Sequence, residues 1–452
     1  MQDYAEKRIV VIGAGRSGQA LVRFFCERGA QVVLTDRRRR DDLAHLAERW
    51  PQRLTLDLGG HDRRHLVGAD LVVLSPGVPS DLPLLQQVRQ AGIPVLGEVE
   101  IASRHLQAPL VAITGTNGKS TTTALCGEMF RSGGCKTFIG GNLGTPLIEA
   151  AATGGWQWLV VELSSFQLET IERFRPKYAM LLNISSDHLD RYDDMAAYVS
   201  AKKRIFENQG GDDVAVLNAG DRQVMTLAGG LAARPVLFSA EKDLPEGMSL
   251  DAAGNILWRW QGRELRFDTR QLLLRGRHNV ENVMAAMIPP LLEGIDPKLV
   301  WRTACRFPGL PHRMQLVRRL RGVDWIDDSK GTNVGSVMRS LAGLRPPVTL
   351  IAGGKDKGGD FATLAPLVRD RVGHLLLIGE AADRIERELA GTARIVRCAD
   401  MAEAVKRAAE LTPAGGTVLL SPGCSSFDMF SSFEERGRVF ARQVNALPEE
   451  GA

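Results

Sequence analysis

The chain has 452 residues, of which 44% are hydrophobic and 24% charged, and its formal net charge is +4. That profile fits a globular protein of two or three domains and gives no electrostatic ground for binding nucleic acid or a membrane surface. The six cysteines, Cys26, Cys126, Cys135, Cys305, Cys398 and Cys424, lack CxxC or metal-finger spacing, which excludes a disulfide framework and favours a reducing, cytoplasmic setting. The opening MQDYAEKRIVVIG runs straight into a predicted strand and leaves no room for a signal peptide. No apolar run approaches the ~20 residues that span a bilayer, so no membrane insertion is expected.

Short apolar runs alternate with helical patterns along most of the chain. Ile9–Ile12, Val32–Thr35 and Leu71–Leu74 read as buried strands, with helices predicted at Gln19–Arg28 and Pro83–Ala91. A second unit opens near Glu98, with strands at Val111–Thr114, Trp158–Glu162 and Ala179–Asn183 and a helix at Ser120–Phe130. Residues 254–275 alternate polar and apolar, as an antiparallel piece does. A third unit starts near Gly309, with strands at Trp325–Ile326, Val348–Ala352, Leu375–Ile378, Ile395–Cys398 and Thr417–Leu420. This βαβ pattern predicts an α/β fold built on parallel sheets, with domain boundaries near 97 and 309.

Two glycine-rich turns stand at strand ends. Gly13-Ala14-Gly15-Arg16-Ser17-Gly18 matches GxGxxG, with Asp36 ending the next strand. Read alone, it favours a nicotinamide dinucleotide, although the same geometry takes any diphosphate. The second turn, TGTNGKST, departs from GxxxxGK[ST], because the position of the first glycine is Ile113. Glycines stand instead at 115 and 118, in a compressed turn that still surrounds phosphate oxygens with backbone N–H groups. Lys119 would neutralise those oxygens, and Ser120 or Thr121 could ligate Mg²⁺. Arginine outnumbers lysine in this chain, so a lysine inside a glycine loop calls for a specific explanation. The run Arg37–Arg40 reads equally as a solvated loop or as a ligand contact.

In chain order, TGTNGKST, GGNLG, VVELSSFQLE, LNISSDHLDR, SAKKRIFEN, RGRHNVEN, GLPHRM, DDSKGTN, GGKDKGGDF and LLSPGCSSFDMFSSFEERG follow one another. Together they resemble the Mur ligases, ATP-dependent amide-bond formers of peptidoglycan synthesis. The ELSSFQLE run and the last segment favour the member that joins D-glutamate to UDP-N-acetylmuramoyl-L-alanine. The resemblance implies an N-terminal Rossmann-like domain (1–97) that binds UDP and no nicotinamide, a central P-loop-type ATPase domain (98–308), and a C-terminal Rossmann-like domain (309–452) for the amino acid. ATP, two Mg²⁺ sites and a monomer are expected, with no nucleic-acid partner.

Residue by residue, the resemblance places the UDP-sugar on Gly15, Arg16, Ser17, Asp36, Arg37, Arg38, Ser75, Gly77, Asn142 and His188. It places ATP on Gly115, Asn117, Gly118, Lys119, Ser120, Thr121, Asn282, Arg313 and Asp328. Ser120 and Glu162 would hold one Mg²⁺. His188 and Lys202, the latter as a carbamate, would hold a second. Lys119, His188 and Lys202 would carry the chemistry, and Thr332, Lys357, Ser426, Phe427 and Phe433 would take D-glutamate. Several of these residues also have plainer readings. Asn279 could cap a helix, Asp328 and Lys330 could pair as ions, and Phe427 and Phe433 could be core. Of the neighbours Lys202 and Lys203, about 100° apart on a helix, one alone can face a site.

Overall fold

In the computed structural model, the described residues, 3–38, 43–185, 192–274 and 276–449, form three sheets flanked by helices. The first contains β1 (Arg8–Ile12), β2 (Gln31–Asp36), β3 (Leu54–Leu58), β4 (Leu71–Leu74) and β5 (Val95–Gly97), in the order β3-β2-β1-β4-β5. Every pair is parallel. The order reverses at β1, which lies between β2 and β4. Ligand crevices open at such a switch point, beyond the carboxyl ends of the strands. Gly13 and Ser75 directly follow those two central strands.

The second sheet contains β6 (Leu110–Thr114), β7 (Thr137–Gly141), β8 (Trp158–Glu162), β9 (Tyr178–Leu181), β10 (Val214–Asn218), β11 (Arg234–Ser239), β12 (Gly247–Leu250), β13 (Ile256–Trp260) and β14 (Arg263–Phe267). Its order is β14-β13-β12-β11-β10-β9-β6-β8-β7. β6 and β8 are buried along their whole length. Parallel strands covered on both faces therefore read as continuous apolar runs in the sequence, with Thr114 and Glu162 as the polar exceptions at their last positions. The expected antiparallel piece is the hairpin β13–β14, closed by Gln261 and Gly262 at φ +48° and +74°. Two successive left-handed residues match the right-handed twist of the flanking strands.

The third sheet contains β15 (Gln315–Leu320), β16 (Val323–Asp327), β17 (Val348–Gly353), β18 (Val372–Ile378), β19 (Arg394–Arg397) and β20 (Thr417–Leu420), in the order β15-β16-β20-β17-β18-β19. Only β15 is antiparallel to its neighbour. Successive residues feed opposite faces, as strand geometry requires. Leu350, Leu377 and Leu419 pack on one side with Phe361 and Val368, while Ile351, Leu376 and Leu420 pack on the other with Trp325 and Phe440. The first two sheets belong to one compact unit, and the third to a second.

Helix starts differ from the sequence reading for local reasons. The first helix begins at Arg16 rather than Gln19, because the extended Gly15 is its N-cap and the glycine turn passes straight into helix. Asn279 lies inside the first turn of the helix Arg277–Leu292, with its N–H on the Gly276 carbonyl, so it is not a cap. Phe440, fully buried on the helix Phe433–Asn445, sits 6.3 Å from Trp325, centroid to centroid. Phe440→Ala should cost about 3–5 kcal/mol, read as a lower urea midpoint by circular dichroism. An unchanged midpoint would place this contact outside the core of the third sheet.

Candidate active site

The N-terminal turn is held together by its own carboxylate. Asp36 Oδ2 accepts the Ala14 N–H at 2.9 Å, and Oδ1 accepts the Arg38 N–H at 2.9 Å. Burial pushes the Asp36 carboxyl up, but the hydrogen bonds from Arg38 and Ala14 outweigh it and hold the group at about 2. Ser75 Oγ donates to the Gly13 carbonyl at 2.8 Å, which ties the β1 and β4 ends together. Gly18 has to be glycine, since a Cβ there would lie 1.8 Å from the Gly13 oxygen. Around this turn Arg16, Arg37, Arg38 and Gly77 are exposed, and Gly15 and Ser17 are half-buried. Asp36 thus braces the turn in addition to any ligand contact.

The central loop carries more chemistry. Gly118, the N-cap of the helix Lys119–Ser132, is left-handed at φ +86°, and a Cβ on it would meet Asn282 Oδ1 at 2.2 Å. That close approach brings Asn282, from the helix Arg277–Leu292, against the loop. Asn117 exchanges two hydrogen bonds with the Asn183 side chain, at 2.8 and 3.0 Å. Lys119 Nζ donates to the Gly115 and Thr116 carbonyls at 2.9 and 3.0 Å. Lys202 Nζ, 2% exposed, donates to the same Gly115 carbonyl at 3.0 Å and lies 4.6 Å from the Tyr198 ring centroid. Lys203 is exposed, so the helix Met195–Lys203 turns one of the two lysines inward.

At the end of β8, Glu162 gathers two neighbours. Ser120 Oγ donates to its Oε2 at 2.5 Å, and Asn142 Nδ2 donates to its Oε1 at 2.6 Å. The buried carboxylate is thereby paired by hydrogen bonds. Among the described residues no cluster of three or more His, Cys, Asp or Glu side chains forms a metal cage. Ser120 and Glu162 instead offer hard oxygens that suit Mg²⁺ sharing its shell with phosphates. Lys202 in its ammonium form donates hydrogen bonds and offers no oxygen. His188 lies outside the described residues.

In the C-terminal unit the loops after β16, β17 and β20 leave the carboxyl ends of mutually parallel strands. Asp328 Oδ2 accepts from Ser340 Oγ at 2.7 Å and Ser421 Oγ at 2.8 Å. Burial pushes its carboxyl up to about 6, partly opposed by those serines and by the charge of Arg313. Lys330 Nζ lies 3.8 Å over the Phe433 ring. Thr332 donates its N–H to the Lys330 carbonyl at 2.8 Å, Lys357 is half-buried, and Ser426 is 2% exposed. Phe427 is 71% exposed and Phe433 is half-buried, so the core reading fails for Phe427.

The sequence reading missed Asn183, Tyr198 and, above all, Arg436. Arg436 is 1% exposed and donates to Ser329 Oγ and O and to the carbonyls of Cys424 and Ser425, between 2.8 and 3.2 Å. It joins the Asp328 loop to the Ser426 loop. A signal was present: Arg436 falls between Phe433 and Phe440 on the helical stripe that otherwise turns inward.

The family model described as the Mur ligase MurD-like N-terminal domain matches residues 7–97, the Mur ligase middle domain 113–289, and the Mur ligase glutamate ligase domain 312–424. The chain belongs to the Mur ligase family. A UDP-N-acetylmuramoylalanine–D-glutamate ligase of Syntrophotalea carbinolica is 56% identical over 451 residues, covering 100% of both chains. One from Geotalea daltonii is 51% identical over 98% of each. Among solved structures, UDP-N-acetylmuramate-alanine ligase MurC from Thermotoga maritima matches with a TM-score of 0.60 at 19% identity, covering 97% of this chain and 99% of its own. MurF from Acinetobacter baumannii matches at 0.60 and 18%, covering 98% and 92%. These structural likenesses establish the shared fold.

The Asp328 carboxyl predicts a pH signature. Its value rises from 3.8 to about 6 on folding. The folded chain keeps a proton that the unfolded chain loses, so this stabilisation is complete below pH 3.8 and disappears as pH rises through about 6. Asp328→Asn should therefore gain thermal stability relative to wild type across that window. Melting midpoints of both proteins between pH 4 and 7.5 test this, and parallel curves would refute it.

Proposed function

We infer that this chain joins D-glutamate to UDP-N-acetylmuramoyl-L-alanine at the expense of ATP, making a peptidoglycan precursor. The observation that carries this reading is the full-length identity to ligases of that name, 56% over 451 residues. Residues 1–97 would bind the UDP end, 98–308 the triphosphate and 309–452 the amino acid, in a single cytoplasmic chain acting as a monomer. Among the described residues no helix is long and apolar enough to cross a membrane.

A carboxylate is a poor acyl donor, because its leaving group would be oxide. In the first step the alanyl carboxylate oxygen attacks the γ-phosphorus, and the bond to the β-phosphate oxygen breaks, giving an acyl phosphate and ADP. In the second, the amine of D-glutamate attacks the acyl carbon, loses a proton and expels inorganic phosphate. Both steps bring anions together, so charge neutralisation and alignment dominate the task. Lys119 would bind β- and γ-phosphate oxygens beside the loop amides of Gly115, Asn117 and Gly118, with Thr121 in the first turn and Asn282 near the base. Ser120 and Glu162 would hold one Mg²⁺, and His188 with carbamylated Lys202 a second. Mg²⁺ supplies charge stabilisation as the phosphoryl group moves. Arg313 and Asp328 would meet the phosphates and ribose of ATP. Gly15, Arg16, Ser17, Asp36, Arg37, Arg38, Ser75 and Gly77 would take UDP, Asn142 and His188 the sugar, and Thr332, Lys357, Ser426, Phe427 and Phe433 D-glutamate.

Phosphate release with UDP-N-acetylmuramoyl-L-alanine should require ATP and D-glutamate, with L-glutamate, D-alanine and diaminopimelate giving little. Failure to form ADP and amide with all three substrates would overturn the reading. Lys119→Ala should abolish turnover while UDP-sugar affinity, measured by calorimetry, stays within about threefold, because Lys119 neutralises the transferring phosphoryl group. Loss of that affinity would contradict the division of labour. Glu162→Gln should raise the Mg²⁺ concentration needed for half-maximal rate by about tenfold or more. Unchanged Mg²⁺ dependence would remove Glu162 from the metal.

A further inference from the structure

Glu98 is a buried carboxylate outside the groups assigned above. Glu98 directly follows β5 and opens the helix Glu98–Ser103. It is 1% exposed. Its Oε1 accepts the backbone N–H of Ile148 at 2.7 Å, while Oε2 has no hydrogen-bond partner among the described residues. Ile148 is the second residue of the helix Leu147–Thr153. The loop that feeds this helix carries Asn142, the residue that meets Glu162.

Glu98 also lines a cavity of about 10 Å³, whose other walls include Ser75, Pro76, Phe166, Gln167 and Thr170. That space holds about one water molecule. The carboxyl group therefore lies between the β4-end loop of the first sheet and two segments of the second. Its neighbours fix the same junction. The Gly97 N–H bonds the Thr170 carbonyl at 3.3 Å, and Glu100 Oε2 accepts the N–H groups of Glu172, Arg173 and Phe174. The charged group that acts on it is Glu149, itself ion-paired with Arg23.

An ionised carboxylate with one hydrogen bond is costly in such a place. Burial pushes the Glu98 carboxyl up to about 7, partly opposed by the N–H groups of Ile148 and Leu147. A neutral acid suits the site better, because it keeps the bond from Ile148 and turns its second oxygen into a donor toward the cavity.

We propose that Glu98 is a positioning residue for the ligase reaction: its hydrogen bond to Ile148 fixes the start of the helix Leu147–Thr153, and with it the loop that presents Asn142 to Glu162 and the sugar substrate. This rests on the functional reading above. Glu98 itself touches no substrate. Its contribution is the placement of Asn142, so its loss should weaken use of the UDP-sugar while leaving the loop around Lys119 intact.

Three variants test this in the assay of ADP formation, with KM measured separately for ATP and for the UDP-sugar. Glu98→Gln keeps an acceptor for Ile148 and a donor into the cavity, and should stay within about twofold of wild type. Glu98→Ala should lower kcat/KM for the UDP-sugar by about tenfold to a hundredfold, the scale of a misplaced catalytic group, with KM for ATP within about twofold. Glu98→Asp draws the carboxyl back from the Ile148 N–H by one methylene while keeping the acid, and should fall part of the way toward the Glu98→Ala pattern even if that variant fails to fold. A variant that melts earlier but keeps wild-type kcat/KM would overturn the proposal, as would Glu98→Gln falling as far as Glu98→Ala. Wild-type turnover in the same assay judges the functional reading separately.

Discussion

The central loop is organised by one carbonyl oxygen. Lys119 Nζ and Lys202 Nζ both donate to Gly115 O, at 2.9 and 3.0 Å, so the two ammonium groups lie no more than 5.9 Å apart. At an effective dielectric of about 20, two like charges at that separation repel by roughly 3 kcal/mol. A backbone carbonyl dipole offsets part of this, and the negative charge of a bound triphosphate would offset more. Converting Lys202 to a carbamate would remove one ammonium and add an oxygen ligand. Either route relieves the same repulsion.

Glu162 plays the complementary part. It ends a strand whose other residues are all buried, yet it is itself only 2% exposed and shares its two oxygens between Ser120 and Asn142. Those partners come from a helix start and from a separate loop. One carboxylate therefore locks together the phosphate loop and the segment assigned to the sugar. The lysine pair and this carboxylate place positive and negative groups around the same turn, where a metal–phosphate ligand can satisfy both.

The C-terminal unit solves a related problem with a different device. Its two candidate loops are joined by Arg436, whose buried guanidinium is met by carbonyl and hydroxyl oxygens of Ser329, Cys424 and Ser425. Burial lowers its pKa to about 10, which still leaves it charged at neutral pH. Several neutral acceptors spread that charge, where a single carboxylate would fix only one loop. Asp328 accepts the hydroxyls of Ser340 and Ser421, and Lys330 lies over the face of Phe433.

Much of this was legible in the residues alone. Parallel strands covered on both faces must be continuously apolar, so β1, β6, β8 and β17 stood out as runs, and glycine-rich turns at strand ends marked both cradles. The ordered motifs then carried the family. By contrast, three features depend on contacts between segments far apart in sequence: the burial of Arg436, the exposure of Phe427 and the isolation of Glu98. Local periodicity reports which face of a helix or strand turns inward, but not which polar group meets it there. The sequence by itself determined the α/β alternation and the glycine-rich turns at strand ends, because these follow from short-range backbone preferences. Only the tertiary structure decided that two lysines share Gly115, that Glu162 joins Ser120 to Asn142, and that Glu98 lies at the junction of two sheets. Those hydrogen bonds exist only once the chain has brought their partners within about 3 Å.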